Sequence, residues 1–239
     1  MISTDMLLKG VHFDLSYAPL THLGYIAVAV IVSDIAAMNG VPEQITVSIG
    51  ISNRFSTEAV EALYEGIKFA CDAYKVDLVG GDTTSSRSGL IISVTAVGRV
   101  DKDKVTYRSG ANKSDILCAS GDLGGAFMGL QVLEREKQVF LANPDMQPKL
   151  DDYDYLVKRQ LRADARMDII HELADLGVKP SAMIDISDGL ASEAFHICEN
   201  SNLGVVIYED KLPIAKETYN TAVEFNMDPM TCALNGGED

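Results

Sequence analysis

The chain has 239 residues, of which 47% are hydrophobic and 23% charged, a composition typical of a globular protein with one large or two small domains. This composition excludes a disordered or fibrous chain. Twenty basic residues against thirty-five acidic ones give a net charge of −15, so the surface carries no electrostatic footprint for nucleic acid. An anionic ligand would need metal ions or local dipoles to offset the repulsion.

Cysteine spacing and hydropathy indicate where the protein acts. Cys71, Cys118, Cys198 and Cys232 form no CxxC pair, zinc knuckle or dense disulfide framework, so they are predicted to be buried thiols in a reducing compartment. The longest apolar run, residues 26–32, is far shorter than the roughly 20 residues that cross a bilayer, and no signal-peptide pattern opens the chain. The sequence therefore predicts a cytoplasmic protein with no membrane partner.

The N-terminal part of the chain alternates between strand and helix patterns. One predicted helix, residues 20–39, is apolar on nearly every face and is stopped by the Asn-Gly-Val-Pro sequence from Asn39. A second begins with the capping residues at Ser56 and runs to about Tyr74. The order of elements predicts an α+β arrangement. The predicted strands are residues 1–8, 44–51, 77–79 and 90–100.

A polar stretch and the two ends define the predicted domains. Residues 101–104 form a polar turn and residues 109–115 a linker rich in Gly, Ser, Asn and Lys, which places a boundary near Ser109. The two predicted domains are residues 1–108 and 109–239. The first strand begins without a cap and the last residues are a turn with nothing after it, so each domain is predicted to be incomplete at its outer end.

The second predicted domain contains three short strands and four helices. The glycine-rich residues 121–125 loosely resemble a phosphate-binding turn, and a tight connection between strand and helix explains them equally well. The predicted strands are residues 116–119, 182–184 and 205–208, and the predicted helices are residues 126–136, 155–161, 165–177 and 187–200.

Aspartates stand at positions where ligand sites collect. Asp34 interrupts an apolar helix, where an ionised carboxylate is costly unless it is paired or metal-bound. Asp5, Asp82 and the pair Asp185 and Asp188 are predicted to follow strand ends, and the helix start after Asp188 offers free N–H groups to an anion. Each residue alone also fits a solvated helix end or cap. Together the carboxylates predict a Mg²⁺ site, with phosphates bound through the cations.

Other residues that could meet a phosphorylated ligand are few. Arg108 could grip a phosphate at the domain junction, or it is an ordinary surface charge. His12 could hydrogen-bond a substrate, or it is structural. Neither a P-loop nor a dinucleotide-binding glycine fingerprint is present. No Ser-His-Asp or Cys-His order suggests a nucleophile, and none is required when phosphate is transferred directly.

Seven short motifs follow one another along nearly the whole chain. They are STDML at residues 3–7, GVHF at 10–13, SDIAAM at 33–38, GGDTT at 80–84, RSGA at 108–111, DISDGL at 185–190 and GGED at 236–239. Taken together and in this order, they resemble the motifs of the thiamine-monophosphate kinase family. Single motifs such as GGDT occur across the wider superfamily of ATP enzymes that resemble aminoimidazole ribonucleotide synthetase.

The resemblance implies a fold, an activity and a set of ligands. It implies a two-domain α+β fold with an N-terminal sheet-and-helix domain that pairs in a homodimer, followed by a C-terminal α/β domain. The implied reaction is ATP-dependent phosphorylation of thiamine monophosphate to thiamine diphosphate, with Mg²⁺ and without a general base or covalent catalytic residue. Carried over, the Mg²⁺ ligands are Ser3, Thr4, Asp5, Asp34, Asp82, Asp185 and Asp188, the ATP contacts are Gly81, Asp82, Arg108 and Ser187, and the thiamine phosphate contact is His12.

Some features depart from the family pattern, and other functions stay open. The family's Gly-Asp-Asp-Ala motif does not precede the first strand, and no Tyr-Glu-Leu segment follows the final GGED. Within the superfamily the alternatives are selenophosphate synthetase and the hydrogenase-maturation enzyme. Outside it, the alternative is a non-catalytic protein that binds nucleotide or only pairs through its first domain.

Overall fold

A computed structural model describes residues 1–87 and 89–237, so the last two residues of the GGED motif lie outside the described part. Single 3₁₀ turns occur at Asp151–Tyr153 and Glu209–Lys211. The strands and helices are β1 (Ile2–Leu8), α1 (Leu20–Ala36), β2 (Val41–Ile51), α2 (Thr57–Tyr74), β3 (Asp77–Ser85), β4 (Ile91–Arg99), α3 (Gly125–Ala142), α4 (Asp154–Leu161), α5 (Met167–Asp175), α6 (Leu190–Ser201), α7 (Lys216–Glu224) and α8 (Pro229–Asn235).

Contacts divide the chain into two units. The first unit contains Met1–Thr106 and, later in the chain, Asp164–Lys179. The second contains Tyr107–Ala163 and the residues from Pro180 onward. The domain division at residues 108 and 109 stays a prediction, and it did not include the return of Asp164–Lys179 to the first unit.

The first unit is built on a four-stranded sheet in the order β1-β4-β2-β3. β4 pairs antiparallel with both β1 and β2, whereas β3 runs parallel to β2 at the edge. Residues of the central strands that face α1, such as Val47, Val94 and Ile92, are fully or almost fully buried. Because α1 packs against both α2 and the sheet, it needs apolar residues on most of its faces. The predicted α+β order of this unit is confirmed.

Helices α1 and α2 approach each other at two glycines. A Cβ atom on Gly66 would overlap the carbonyl oxygen of Thr21, and one on Gly24 would overlap that of Leu63. The predicted cap of α2 is confirmed, because the Ser56 hydroxyl accepts a hydrogen bond from the Ala59 amide at 3.3 Å. These contacts fix α1, and with it Asp34, against the rest of the first unit.

Two tyrosines hold the returning segment on the first unit. The hydroxyls of Tyr25 and Tyr74 lie 3.1 Å apart, and Tyr25 donates to the carboxylate of Asp164. The Ala165 amide donates to the Tyr74 hydroxyl at 2.9 Å. Burial, and next the hydrogen bond with Tyr25, raises the pKa of Tyr74 well above its ordinary value. The protonated phenol is therefore the form that the folded chain stabilises.

Replacing Tyr74 with phenylalanine is expected to lower the free energy of unfolding by about 1–2 kcal/mol at neutral pH, because the Ala165 amide loses its acceptor. The contribution of Tyr74 is present in full below about pH 10 and is lost as the pH rises above that value, since its pKa is raised on folding. Urea titrations at neutral and alkaline pH measure both effects. Tyr64→Phe, on the same helix, is the control. Equal stability of the two variants at neutral pH would contradict the role of Tyr74.

The second unit is helical within the described residues, and there the strand predictions are wrong. Residues 116–119, 182–184 and 205–208 join no ladder. The Met183 amide donates to the Tyr107 carbonyl at 3.0 Å, but a strand also needs further bonds along a neighbour. Ile116 and Val206 are 87% and 74% exposed, so two of the apolar side chains in these segments are largely uncovered in the described part.

The helices of the second unit bury two apolar clusters. Met128, Val132 and Leu156 form the first with Ala222 and Cys232, and Leu123, Leu190 and Ala233 form the second. The turn at residues 121–125 leads directly into α3, and its Gly124 adopts a left-handed conformation with φ +79°. A Cβ atom there would lie 3.1 Å from the backbone of α8, so tight packing accounts for this glycine.

Cysteine exposure differs from the prediction at two positions. The prediction of buried thiols is confirmed for Cys71 and Cys232, and it is wrong for Cys198, which is half-buried, and for Cys118, which is exposed. Cys118 lies in one of the segments that form no strand, which explains its exposure. No helix of the described part has the length and apolar character that a membrane span requires.

Thiol reactivity should separate these cysteines. Burial, followed by the charges of Asp72 and Asp77, raises the pKa of the Cys71 thiol to about 11. Only about one Cys71 thiol in a thousand is then ionised at about pH 8. A disulfide reagent such as DTNB is expected to modify Cys118 first and Cys71 last in the native protein. The Cys118→Ser variant should lose the fastest phase, and retention of that phase would contradict the assignment.

Candidate active site

Ser3, Asp34 and Asp5 lie on the side of the sheet that carries the helices. The Ser3 hydroxyl donates to Asp34 Oδ2 at 2.5 Å, joining β1 to the last turns of α1. Asp5 follows two residues along the same strand, about 7 Å farther on and on the same face, and its Oδ1 accepts from the Met6 amide at 2.7 Å. All three side chains are partly accessible. Asp5 was predicted to follow a strand end, but it lies inside β1.

Thr4 and Asp82 align with the opposite, exposed face of the sheet. The Thr4 hydroxyl lies 3.0 Å from that of Thr95 on the neighbouring strand. Asp82 is in register with Ser48, and Ser48 with Ser93. The structure therefore brings Ser3 and Asp34 together and places Asp5 on the same face of the sheet, the one that carries the helices. Thr4 and Asp82 align with the opposite, exposed face. Their shared Mg²⁺ role stays a prediction.

The GGDTT motif lies within the edge strand β3. The prediction ended this strand at Val79, but the ladder with β2 continues to Ser85, so Asp82 lies in the strand and not after it. The register shifts beside Thr46, and β2 then comes so close that a Cβ atom on Gly81 would overlap the Val47 carbonyl. Gly81 therefore serves the strand pairing, and its side of β3 is exposed.

His12 is fixed by the turn that follows β1. Gly10 adopts φ +81° there, and its amide donates to the Phe13 carbonyl at 2.8 Å. The Leu8 amide donates to His12 Nδ1 at 3.1 Å, so the neutral imidazole carries its proton on Nε2. Because His12 is exposed, this Nε2–H can donate to a ligand.

The second unit carries Arg108 and the DISDGL motif. Arg108, Ser187 and Asp188 are exposed, and Asp185 is half-buried. Asp185 and Asp188 were predicted to follow a strand, but residues 182–184 form none. The residues from Asp185 to Asp188 instead form a loop directly before α6.

Sequence reasoning missed Glu193 in the first turns of α6. Its Oε1 accepts hydrogen bonds from the amides of Asp188 at 3.0 Å and Ser187 at 3.3 Å. The usual capping pattern has the acidic residue three positions after the cap, whereas Glu193 lies four positions after the cap Gly189 and reaches beyond it. The amides of Ser187 and Asp188, which precede the helix, are therefore already occupied by a carboxylate.

The oxygen donors of the first unit fit Mg²⁺ in type. Mg²⁺ binds through one or two carboxylates and completes its shell with water and substrate phosphates, and Asp34 and Asp5 offer carboxylates on one face beside the Ser3 hydroxyl. Across residues 1–87 and 89–237, no group of three or more His, Cys, Asp or Glu side chains could hold a metal ion by itself. The arrangement therefore fits a cation that a phosphate ligand also coordinates.

Family models match both parts of the chain. The model of the AIR synthase related protein, N-terminal domain, matches residues 1–100, and that of the C-terminal domain matches residues 115–238. The fold and these matches place the chain among the AIR synthase related proteins.

Individual relatives narrow this class. The thiamine-monophosphate kinase of Bacillus subtilis (strain 168) is 34% identical over 239 residues, covering 100% of this chain and 70% of that protein. The structure of AaThiL complexed with AMPPCP and TMP has a TM-score of 0.88 at 34% identity, covering 100% of this chain and 72% of that one. The chain belongs to the thiamine-monophosphate kinase family.

One more distant neighbour shares the fold alone. A structure of hydrogenase maturation protein HypE in complex with ATP has a TM-score of 0.77 at 17% identity, covering 99% of this chain and 65% of that one. Its sequence identity to this chain is half the 34% of the AaThiL structure, so this likeness shows the fold alone.

Proposed function

We propose that the protein transfers the γ-phosphoryl group of ATP to thiamine monophosphate, giving thiamine diphosphate and ADP. The observation that carries this proposal is the 34% identical structure bound to AMPPCP, an ATP analogue, and TMP, which this chain matches over its whole length. The Ser3–Asp34 pair adds a partly buried carboxylate of the type that a magnesium nucleotide requires.

The proposed step is an in-line displacement. A terminal phosphate oxygen of thiamine monophosphate attacks the γ-phosphorus, the bond to the β,γ-bridging oxygen breaks, and ADP leaves. The nucleophile is already ionised, so no residue of the chain has to act as a general base. Two unit charges 4 Å apart repel by about 4 kcal/mol at an effective dielectric near 20, so two polyanions need their charge offset.

The first unit supplies the oxygen ligands in this proposal. Mg²⁺, when bound, supplies the positive charge that offsets the repulsion between the phosphates. Asp34 and Asp5 bind it through their carboxylates, and the hydrogen bond from Ser3 orients Asp34. Thr4 and Asp82 are further proposed ligands. His12 donates its Nε2–H to the phosphate of thiamine monophosphate, and Leu8 holds the ring in that tautomer.

The second unit supplies nucleotide contacts in this proposal. The guanidinium of Arg108 binds a phosphate, and the Ser187 hydroxyl is a further proposed ATP contact. In the first unit, the proposed ATP contacts are Gly81 and Asp82. Asp185 and Asp188 are the remaining proposed Mg²⁺ ligands. Because Glu193 occupies the amides of Ser187 and Asp188, this loop contacts the ligand through its side chains and not through those two amides.

We further propose that the protein works as a cytoplasmic homodimer. The exposed face of the sheet carries Ile2, Met6 and Val97, which are 74%, 49% and 39% exposed, between rows of threonine and serine. An apolar surface on an otherwise acidic protein suits a second copy better than a nucleic acid. Sedimentation of the wild type and of Met6→Lys tests this, since Met6→Lys should shift the protein towards monomer.

The activity is tested by incubating the purified chain with ATP, MgCl₂ and thiamine monophosphate. The expected result is one thiamine diphosphate for each ADP, with dependence on both Mg²⁺ and thiamine monophosphate. Chromatography with thiochrome fluorescence measures the first product and a coupled assay the second. Binding of magnesium ATP without any product dependent on thiamine monophosphate would reject the proposal in favour of a nucleotide-binding role.

A further inference from the structure

Glu193 is a buried carboxylate that the reaction outlined above does not use. Only 3% of Glu193 is exposed. It lies in α6, the helix that directly follows the loop with Asp185, Ser187 and Asp188. Its Oε1 accepts from the amides of Ser187 and Asp188, and the Ser187 hydroxyl lies 3.5 Å from the same oxygen. One carboxylate oxygen therefore organises the backbone of this loop.

The needs of α6 alone do not explain this carboxylate. The helix already begins with a backbone bond from the Glu193 amide to the Gly189 carbonyl at 3.2 Å. The second carboxylate oxygen, Oε2, is buried and has no hydrogen-bond partner within the described residues. Burying an incompletely paired carboxylate is unfavourable, and an apolar side chain would fill the position at lower cost. The benefit of a glutamate must therefore lie in the two amides that it binds.

The end of α8 and the residues after it also contact this loop. Gly189 adopts φ +107°, and a Cβ atom there would lie 2.8 Å from the backbone of Asn235. A Cβ atom on Gly237 would overlap the Ser187 carbonyl. The loop is therefore bound by Glu193 of α6 and lies close to the backbone of Asn235, the last residue of α8, and of Gly237. With its backbone held in this way, the loop leaves the side chains of Ser187 and Asp188 exposed.

We propose that Glu193 is a positioning residue for the nucleotide and its metal ion: it fixes the amides of Ser187 and Asp188 so that their side chains face the ligand. This inference rests on the proposed function, in which Ser187 contacts ATP and Asp185 and Asp188 bind Mg²⁺. The Glu193 carboxylate also makes the loop favour a cation over an anion. A carboxylate on these amides repels a bare phosphate and attracts a cation, so the loop binds the nucleotide through its metal ion.

The test replaces Glu193 and measures both the loop and the ligand. Glu193→Leu keeps the volume but removes the acceptor, and Glu193→Gln keeps one acceptor oxygen. Hydrogen exchange of the Ser187 and Asp188 amides, followed by NMR without ligand, is expected to be at least about tenfold faster in Glu193→Leu and close to wild type in Glu193→Gln. Calorimetry with ATP and MgCl₂ should give a Kd at least about tenfold higher for Glu193→Leu. Glu199→Ala, an exposed position on the same helix, is the control.

Kinetics separate positioning from a general loss of structure. Glu193→Leu should raise the KM for magnesium ATP and leave the KM for thiamine monophosphate unchanged, whereas loss of structure would affect both. If Glu193→Leu does not fold, Glu193→Ala removes the same acceptor with no bulk to accommodate. Faster exchange with an unchanged Kd for magnesium ATP would overturn the positioning role, and unchanged exchange would overturn the contact itself. A wild-type chain that binds no magnesium ATP would instead reject the proposed function.

Discussion

Replacing Asp34 with asparagine is expected to weaken magnesium-dependent ATP binding by about 100-fold and to leave the free energy of unfolding within about 1 kcal/mol of the wild type. Asparagine keeps an oxygen that can accept the hydrogen bond from Ser3, so the join between β1 and α1 survives. It loses the negative charge that a divalent cation requires. Calorimetry with ATP in MgCl₂ and in EDTA measures the first effect, and urea unfolding the second.

The matched control for Asp34→Asn is Glu65→Gln, the same loss of charge at an exposed position of α2. Glu65→Gln should bind magnesium ATP like the wild type. If both variants lose affinity equally, the effect is one of net charge and the specific role of Asp34 is wrong. If neither loses affinity, the carboxylate at position 34 does not bind the metal ion.

Gly81→Ala should lower the free energy of unfolding of the first unit by about 3 kcal/mol, because the new methyl group would overlap the Val47 carbonyl and force β3 away from β2. The parallel ladder between these strands runs from Gln44 to Ile51, so a displacement at its middle affects the pairing on both sides. Urea unfolding followed by circular dichroism measures the loss. Since Asp82 follows directly, we expect nucleotide binding to weaken as well.

The neighbouring glycine provides the control. Among the described residues, the nearest atom to a Cβ on Gly80 would be the Thr46 methyl carbon at 3.9 Å, which is an ordinary van der Waals distance. Gly80→Ala should therefore change stability by less than about 1 kcal/mol. Similar losses in the two variants would show that β3 needs flexibility at both glycines, in contradiction to a steric limit at Gly81 alone.

Local patterns were sufficient to predict most of the first unit. The apolar run of α1 and the Ser56 cap of α2 are properties of short segments, and so they were predicted correctly. The length of β3 was not, because Gly80, Gly81 and Asp82 have low strand propensity and are held in the strand by their ladder with β2. A partner far away in the sequence decides the conformation of such residues.

The same reasoning explains what was missed elsewhere. Val205, Val206 and Ile207 are β-branched and Tyr208 is aromatic, yet a strand forms only where a neighbour offers its N–H and C=O groups. The candidate site was partly predictable, because Asp34 is conspicuous within an apolar helix. The contact between Asp34 and Ser3 depends on how β1 and α1 pack, and the resemblance of motifs implied only that both residues bind Mg²⁺. Glu193 gave no signal, because its pattern matches no standard cap.

The return of Asp164–Lys179 to the first unit has a practical consequence for dissecting the protein. A fragment that stops at Thr106 would lack α5 and the tyrosine contacts that fasten it, leaving apolar surface uncovered. The remaining fragment would contain α5 without the unit that it packs on. Met167 and Ile170 of α5 are only 9% and 5% exposed in the intact chain and would then be uncovered. No single cut yields two self-sufficient pieces, so gene fission or reshuffling of these halves would require α5 to be relocated or rebuilt.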